Sequence, residues 1–312
     1  MRYSILLGLM CSLFPRLIFA DDKPKGAVLP WIKLGWSINE LPVFQAKING
    51  QSVRVLFDTG CSSISMSPEM ARHLKIKTSN DGVSEMGWLA GGKRAVVHKG
   101  TVNNFEIAGH IFRNLSVIII PGSKKSWVDA TVGVALLQRT RILMDYDKRR
   151  TVILKKPFLV TRKSAVKIPF RIVTGHNMIV KATVDDKPLY LDFDTGATFT
   201  LELRRYDASI LGLHTKKTKE YGQGGAGQPV KTTFFEDELI VCLGSICKKV
   251  RPISLNEPDA MWKPKCHQFG NRISGVLSHN FLIGVLVEYD FSENVIWLWQ
   301  KKSVHLAPKR RR

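Results

Sequence analysis

The chain has 312 residues, 44% of them apolar and 9% aromatic, which allows two modest domains with buried cores and excludes a disordered or fibrous protein. Its 47 Lys and Arg against 26 Asp and Glu give a formal charge of +21, which predicts attraction to anionic surfaces and carries no information on fold. No aromatic–basic readout motif accompanies that charge and the eight histidines are scattered, so no specific nucleic-acid partner, metal or cofactor is expected.

Residues 1–20 carry a basic residue at position 2, an apolar run over 3–14, and Ala20 just before Asp21. This pattern predicts a signal peptide and an exported chain, periplasmic or secreted. The run is shorter than a membrane span needs, and Pro15-Arg16 interrupts it. Four cysteines follow the leader: Cys61, Cys242, Cys247 and Cys266. An exported chain can keep disulfides, and a bridge from Cys242 to Cys247 across a hairpin turning at Gly244-Ser245 is the first choice. Cys266 competes for either partner, and Cys61 is expected to stay unpaired as a small packed residue.

Period-two alternation begins at Pro42. The runs 42–48 and 53–57 flank Asn49-Gly50, which predicts a two-residue hairpin. The second run ends in Asp58-Thr59-Gly60. Ser67-Pro68 opens a short helix over 67–74, with serine as its N-cap. A glycine-rich turn over 87–93 joins two strands, and further strands are expected at 102–107 and 115–120. An apolar strand-like run at 130–137, containing Gly133, leads to Met144-Asp145-Tyr146-Asp147 and a last strand at 151–154. The basic stretch 155–164, with Pro157, reads as the joint between lobes at 21–158 and 159–312.

The same order then repeats. Runs 179–184 and 187–193, joined through Asp185-Asp186, lead into Asp194-Thr195-Gly196, 136 residues after the first motif. A short helix or turn at 203–211, a glycine-rich turn at 221–228, an apolar run at 275–282 and Val287-Glu288-Tyr289-Asp290 follow. Five features in one order, twice, indicate an internal duplication of roughly 130 residues. The tail 308–312 reads as a solvated basic end.

The doubled Asp-Thr-Gly, each copy followed by a later apolar run, resembles the aspartic proteases of the pepsin and retropepsin type over residues 40–300, in the form of a bacterial-style exported, single-chain retropepsin-like protein. The resemblance implies an all-β fold: two barrel-like lobes related by a pseudo-twofold axis, a few short helices, and a cleft between the lobes. It also implies an aspartic endopeptidase acting as a monomer on a polypeptide. Asp58 and Asp194 would be the catalytic pair. Two carboxyls about 3 Å apart cannot both ionise, and together they can take a proton from water and give one to a carbonyl oxygen. Thr59 and Thr195 are implied to interlock across the lobes, and Gly60 and Gly196 to allow close backbone approach. The glycine-rich turns resemble flaps, with Trp88, Gly91, Tyr221 and Gly224 as candidates to contact substrate.

Three positions depart from the family pattern. The residue after each glycine, Ser or Thr in pepsin-like enzymes, is Cys61 in one half and Ala197 in the other. Fewer hydrogen bonds to the ionised pair predict a mildly acidic to near-neutral optimum. Ser278 stands where Gly133 has its counterpart. Asp192 shares a strand face with Asp194 and is expected to turn to solvent or to pair with a basic neighbour such as Lys187. A catalytically silent, peptide-binding protein of the cell envelope is the alternative on the same fold, and the charge allows electrostatic association with an anionic envelope surface.

Overall fold

Each half of the chain starts from a hairpin set by its turn residues. In the first, Val43–Ile48 pairs with Gln51–Phe57 around Asn49 and Gly50, at φ of 49° and 82°. In the second, Asn177–Val184 pairs with Lys187–Asp194 around Asp185 and Asp186, at 43° and 65°. Positive φ at both central residues gives the turn whose twist matches that of paired strands, and Asn, Asp and Gly adopt it at the least cost. The computed structural model describes residues 28–30, 41–78, 85–89, 93–121, 128–138, 140–154, 165–223, 229–255 and 257–300. The expected leader, the joint at 155–164 and the basic tail lie outside them, and no described helix is long and apolar enough to cross a membrane.

Past each hairpin, a later strand inserts beside the strand that ends in the motif. Ala130–Val132 runs parallel to Gln51–Phe57 and antiparallel to Ile64–Met66. Gly275–Ser278 runs parallel to Lys187–Asp194 and antiparallel to Leu201–Leu203. The loop carrying each Asp-Thr-Gly therefore arches over the end of the inserted strand, which fixes its height.

Among the described residues four helices decorate the sheets. In α1 (Pro68–His73) the Ser67 hydroxyl accepts the Met70 N–H at 3.1 Å, as the capping pattern predicts. The apolar run at 130–137 is not one strand: it ends at Val132, and α2 (Val134–Leu137) follows with Gly133 at the corner. A short apolar run reads alike as buried strand or helix, and here tertiary packing decides. The second-half run divides in the same way, into Gly275–Ser278 and a 3₁₀ turn His279–Leu282. Beyond α3 (Arg205–Ile210) the chain forms α4 (Asp259–Phe269), an element with no counterpart among the described residues of the first half and not foreseen in the sequence.

Six antiparallel strands join the lobes, in the order Val28–Pro30, Arg150–Leu154, Arg141–Asp145, Val285–Asp290, Val295–Gln300, Val166–Val173. At its centre Met144 lies opposite Val287, two residues at the same place in the two repeats and both 0% exposed. The pseudo-twofold axis passes between them. Above this sheet Tyr146 and Tyr289, also repeat equivalents, bring their hydroxyls to 3.2 Å, and the Tyr289 ring packs on both motif phenylalanines, Phe57 at 6.0 Å and Phe193 at 6.3 Å between ring centroids. The apolar core thus runs unbroken from one lobe to the other. The disulfide joins Cys242 to Cys247, which face each other across the hairpin Leu239–Leu243 and Ile246–Val250; Cys61 and Cys266 are unpaired thiols.

Candidate active site

The two motif loops meet at the axis. Thr59 N–H donates to Thr195 Oγ1 at 3.0 Å, and Thr195 N–H donates to Thr59 Oγ1 at the same distance. Each hydroxyl in turn donates across the lobes, Thr59 to the Phe193 carbonyl at 2.6 Å and Thr195 to the Phe57 carbonyl at 2.9 Å. Both threonines are 0% exposed, so no water competes for these four bonds.

The interlock brings Asp58 and Asp194 together, with their side chains hydrogen-bonded to each other. Within each lobe the carboxylate accepts an N–H from its own glycine, Gly60 to Asp58 and Gly196 to Asp194, both at 2.8 Å. Across the lobes each glycine packs under the opposite carboxyl. A Cβ on Gly60 would lie 2.6 Å from Asp194 Cγ, and one on Gly196 would collide with Asp58. Close approach thus requires glycine at both positions. Burial, the charge of Asp194 and their shared hydrogen bond push Asp58 well above the usual carboxylate range, against the N–H groups of Gly60 and Cys61. Burial also raises Asp194, although the hydrogen bond from Asp58 opposes it. A pair of this kind retains one proton where isolated carboxyls would have lost theirs.

Cys61 gives no support to the dyad from its side chain. Its thiol donates to the Ser63 carbonyl at 3.1 Å and lies 3.7 Å from the Ser65 hydroxyl, away from the carboxyls. Burial, with the nearby charge of Asp58, pushes the thiol up to about 12, so it is a packed residue rather than a nucleophile.

Ser278 is accommodated by an extra residue in the second loop. Three residues, 61–63, separate Gly60 from Ile64–Met66; four, 197–200, separate Gly196 from Leu201–Leu203. In the tighter first loop a Cβ at Gly133 would run into the backbone of Cys61 and Ser63. The longer loop admits a side chain, and the Ser278 hydroxyl donates to the Phe199 carbonyl while accepting the Asn280 N–H at 3.4 Å.

Asp192 differs from expectation. It shares the face of Asp194, but it neither reaches solvent nor pairs with Lys187: it is 3% exposed, and its Oδ2 accepts from Asn177 at 2.6 Å and from Lys265 at 2.9 Å. Lys265 comes from α4. The spacing of Trp262, Cys266 and Phe269 carried a helical signal there, but Pro264 inside the segment argued against it. Next to this pair lies Glu202, 1% exposed and lifted well above the carboxylate range by burial and then by the charge of Glu257; its Oε1 has no hydrogen-bond partner among the described residues.

Both glycine-rich segments are hairpins. Glu85–Leu89 pairs with Lys93–Ile107, with Trp88 opposite Arg94, and Thr215–Gln223 pairs with Pro229–Phe235, with Tyr221 opposite Lys231. Their tips, including Gly91 and Gly224, fall outside the described residues.

Residues 44–136 match a family model described as aspartyl protease. Among solved structures, an aspartic proteinase from Irpex lacteus is similar at 10% identity and a TM-score of 0.52, over 88% of this chain and 97% of that one. A retropepsin-like aspartic protease from Rickettsia conorii is similar at 21% identity and a TM-score of 0.30, over 40% of this chain and 87% of that one. No curated protein matches the chain. The likeness to the Irpex lacteus enzyme extends through both lobes and establishes the acid-protease fold.

Two measurements follow from this geometry. Thr59→Val removes a hydroxyl that serves two bonds and orphans the Phe193 carbonyl and the Thr195 N–H. It should cost about 3 kcal/mol, read as a lower midpoint of urea unfolding. Loss of less than about 0.5 kcal/mol would mean that water replaces the interlock. Second, iodoacetamide at pH 8 should leave Cys61 unmodified in the folded protein and alkylate it in urea; rapid labelling of the native thiol, mapped by peptide mass spectrometry, would contradict its packed assignment.

Proposed function

We propose that this bilobal protein of the aspartic protease fold, with an aspartyl protease domain in its first lobe, is an endopeptidase whose catalytic pair is Asp58 and Asp194. The observation that carries the proposal is the hydrogen-bonded contact of two carboxyls, one from each lobe, each also holding its own glycine N–H. A silent binding protein would have no physical need for two acids at such proximity, because burying them together costs free energy that peptide binding does not recover.

In the resting pair the two carboxyls share one proton. A water bound between the carboxyls would lose a proton to the ionised member as it attacks the scissile carbonyl, while the protonated member donates to the carbonyl oxygen. Collapse of the resulting diol returns one proton to the leaving amine. The pair ends each turnover with its single proton, so neither acid is permanently acid or base. Thr59 and Thr195 hold the spacing, and Gly60 and Gly196 leave room for it. The two hairpins would act as flaps that exclude water from the cleft, with Trp88 and Tyr221 near their tips.

The chain is read as an exported monomer acting on polypeptides, with no specific nucleic-acid partner. The signal-like residues 1–20 support export, and so does the Cys242–Cys247 disulfide, since such bonds persist in oxidising compartments. The excess of basic residues supports electrostatic association with an anionic envelope surface.

The sign of the pH dependence follows from the two carboxyls. Activity requires one proton on the pair, so it falls at low pH as the second carboxyl protonates and at high pH as the last proton leaves. Burial raises both, and neither Cys61 nor Ala197 supplies a hydroxyl to lower them. The optimum should therefore lie in the mildly acidic to near-neutral range. Asp58→Asn and Asp194→Asn should each reduce cleavage of a peptide library by on the order of 10²–10⁴-fold, and a pepstatin-type inhibitor should block the wild type. A peak below about pH 3 would refute the argument from hydrogen bonding. If the wild type cleaves no peptide at any pH, the silent binding protein is the correct reading.

A further inference from the structure

The dyad is built from two nearly identical loops, and most of its surroundings are symmetric. The exception lies behind Asp194. Two residues before Asp58 the first lobe has Leu56, 5% exposed in an apolar cluster with Leu41, Val43 and Val128. Two residues before Asp194 the second lobe has Asp192, equally enclosed. The sheet order places Ile179, Asp192, Val276 and Glu202 side by side on neighbouring strands, so these side chains share one face with Asp194. Helix α4 covers that face: Trp262 and Phe269 pack with Ile179 and Val276, and Lys265 reaches Asp192 with its ammonium 4.9 Å from the centre of the Trp262 ring.

Alternate residues on a strand lie about 7 Å apart, close enough in a poorly solvated site for one carboxylate to alter another's titration by more than one pH unit. Asp192 alone would therefore drive protons onto Asp194. Lys265, ion-paired at 2.9 Å with only 14% of its side chain exposed, opposes that field from nearly the same place. We propose that Asp192 and Lys265 form a charge-compensated positioning pair which sets the pH range of the Asp58–Asp194 dyad, α4 being the element that delivers the compensating cation.

The proposal rests on the endopeptidase reading for its consequence, but the pair itself is defined by charge and distance. Among the described residues, the nearby charged and titratable groups include Arg204, whose guanidinium lies 5.5 Å from the centre of the same Trp262 ring and is ion-paired with Asp259 at 2.6 Å. Asp194 and Asp58 lie on the cleft side, and Glu202 lies on the neighbouring strand, its carboxyl lifted well above the usual range by burial. Glu257 stands before α4 and adds its charge to the attraction on Lys265. His176 lies in the turn after Val166–Val173, where burial lowers its pKa against the charge of Asp192; its Nδ1 is 2.9 Å from the Thr174 carbonyl. Lys265 is a cation whose charge acts on Asp194, opposing that of Asp192. Asn177, which donates to Asp192, is neutral at all pH values.

The two members should therefore act in opposite directions, which a merely structural role would not produce. The test is titration of ¹³C-labelled aspartate carboxyls by NMR, which reads the dyad whether or not the protein cleaves anything. Lys265→Met leaves Asp192 uncompensated and should move the dyad titration upward by about one pH unit; Asp192→Asn leaves the cation and should move it downward by about as much. The double variant should return close to wild type, and Lys265→Arg, which keeps the charge, should not shift it. Thermal melts establish that each variant is folded, and if Lys265→Met does not fold, the sign of the Asp192→Asn shift alone decides. Shifts in the same direction, or no shift from Asp192→Asn, overturn the proposal. Wild-type inactivity toward peptides, by contrast, overturns the endopeptidase reading and leaves the titration result standing.

Discussion

Thr59 and Thr195 exchange two hydrogen bonds with each other and spend their hydroxyl protons on the carbonyls of Phe193 and Phe57. Other features of the site depend on this buried exchange. It sets the distance between two loops that lie 136 residues apart in the chain, and so holds one carboxyl against the other. The bonds work because the threonines are sealed from water, and the seal comes from below. Tyr289 packs on both motif phenylalanines, and the six-stranded sheet between the lobes carries the axis through Met144 and Val287. A weak point anywhere in this stack would be felt as a change in carboxyl spacing, because close-packed interiors transmit displacement.

Duplication produces a symmetric frame, and its asymmetries are informative. The glycines are symmetric because each must pass under the other lobe's carboxyl. Gly133 and Ser278 are not, because the second loop is one residue longer and the added space admits a hydroxyl that bonds the Phe199 carbonyl. The largest asymmetry is α4 with Lys265, set beside an aspartate that has leucine as its counterpart. The backbone around the two acids can stay alike while the field around them differs. That is how a doubled unit could become specialised without losing its interlock.

The features legible in the sequence were those whose cause is local. Asn49-Gly50 and Asp185-Asp186 demand positive φ, and Ser67 caps the helix that follows it, so hairpins and helix start could be placed from the residues. The disulfide was legible because both cysteines flank one turn. The runs at 130–137 and 275–282 each divide into a strand and a short helical turn, a boundary that apolar content alone does not place. Helix α4 was hidden by Pro264, and the partner of Asp192 was hidden by distance, since Lys265 lies 73 residues further along the chain.

By itself, then, the sequence determined that the chain is a repeat and that each repeat offers one aspartate on a loop between strands. Those are properties of spacing and turn chemistry, which act over a few residues. Only the tertiary structure decided that the two aspartates meet, that Cys61 turns its thiol away from them, and that a buried lysine answers the charge of Asp192. These depend on side chains brought together by packing across large separations in the chain. The free energy of a buried charge is set by whatever stands within a few ångströms of it, and sequence order carries little record of that.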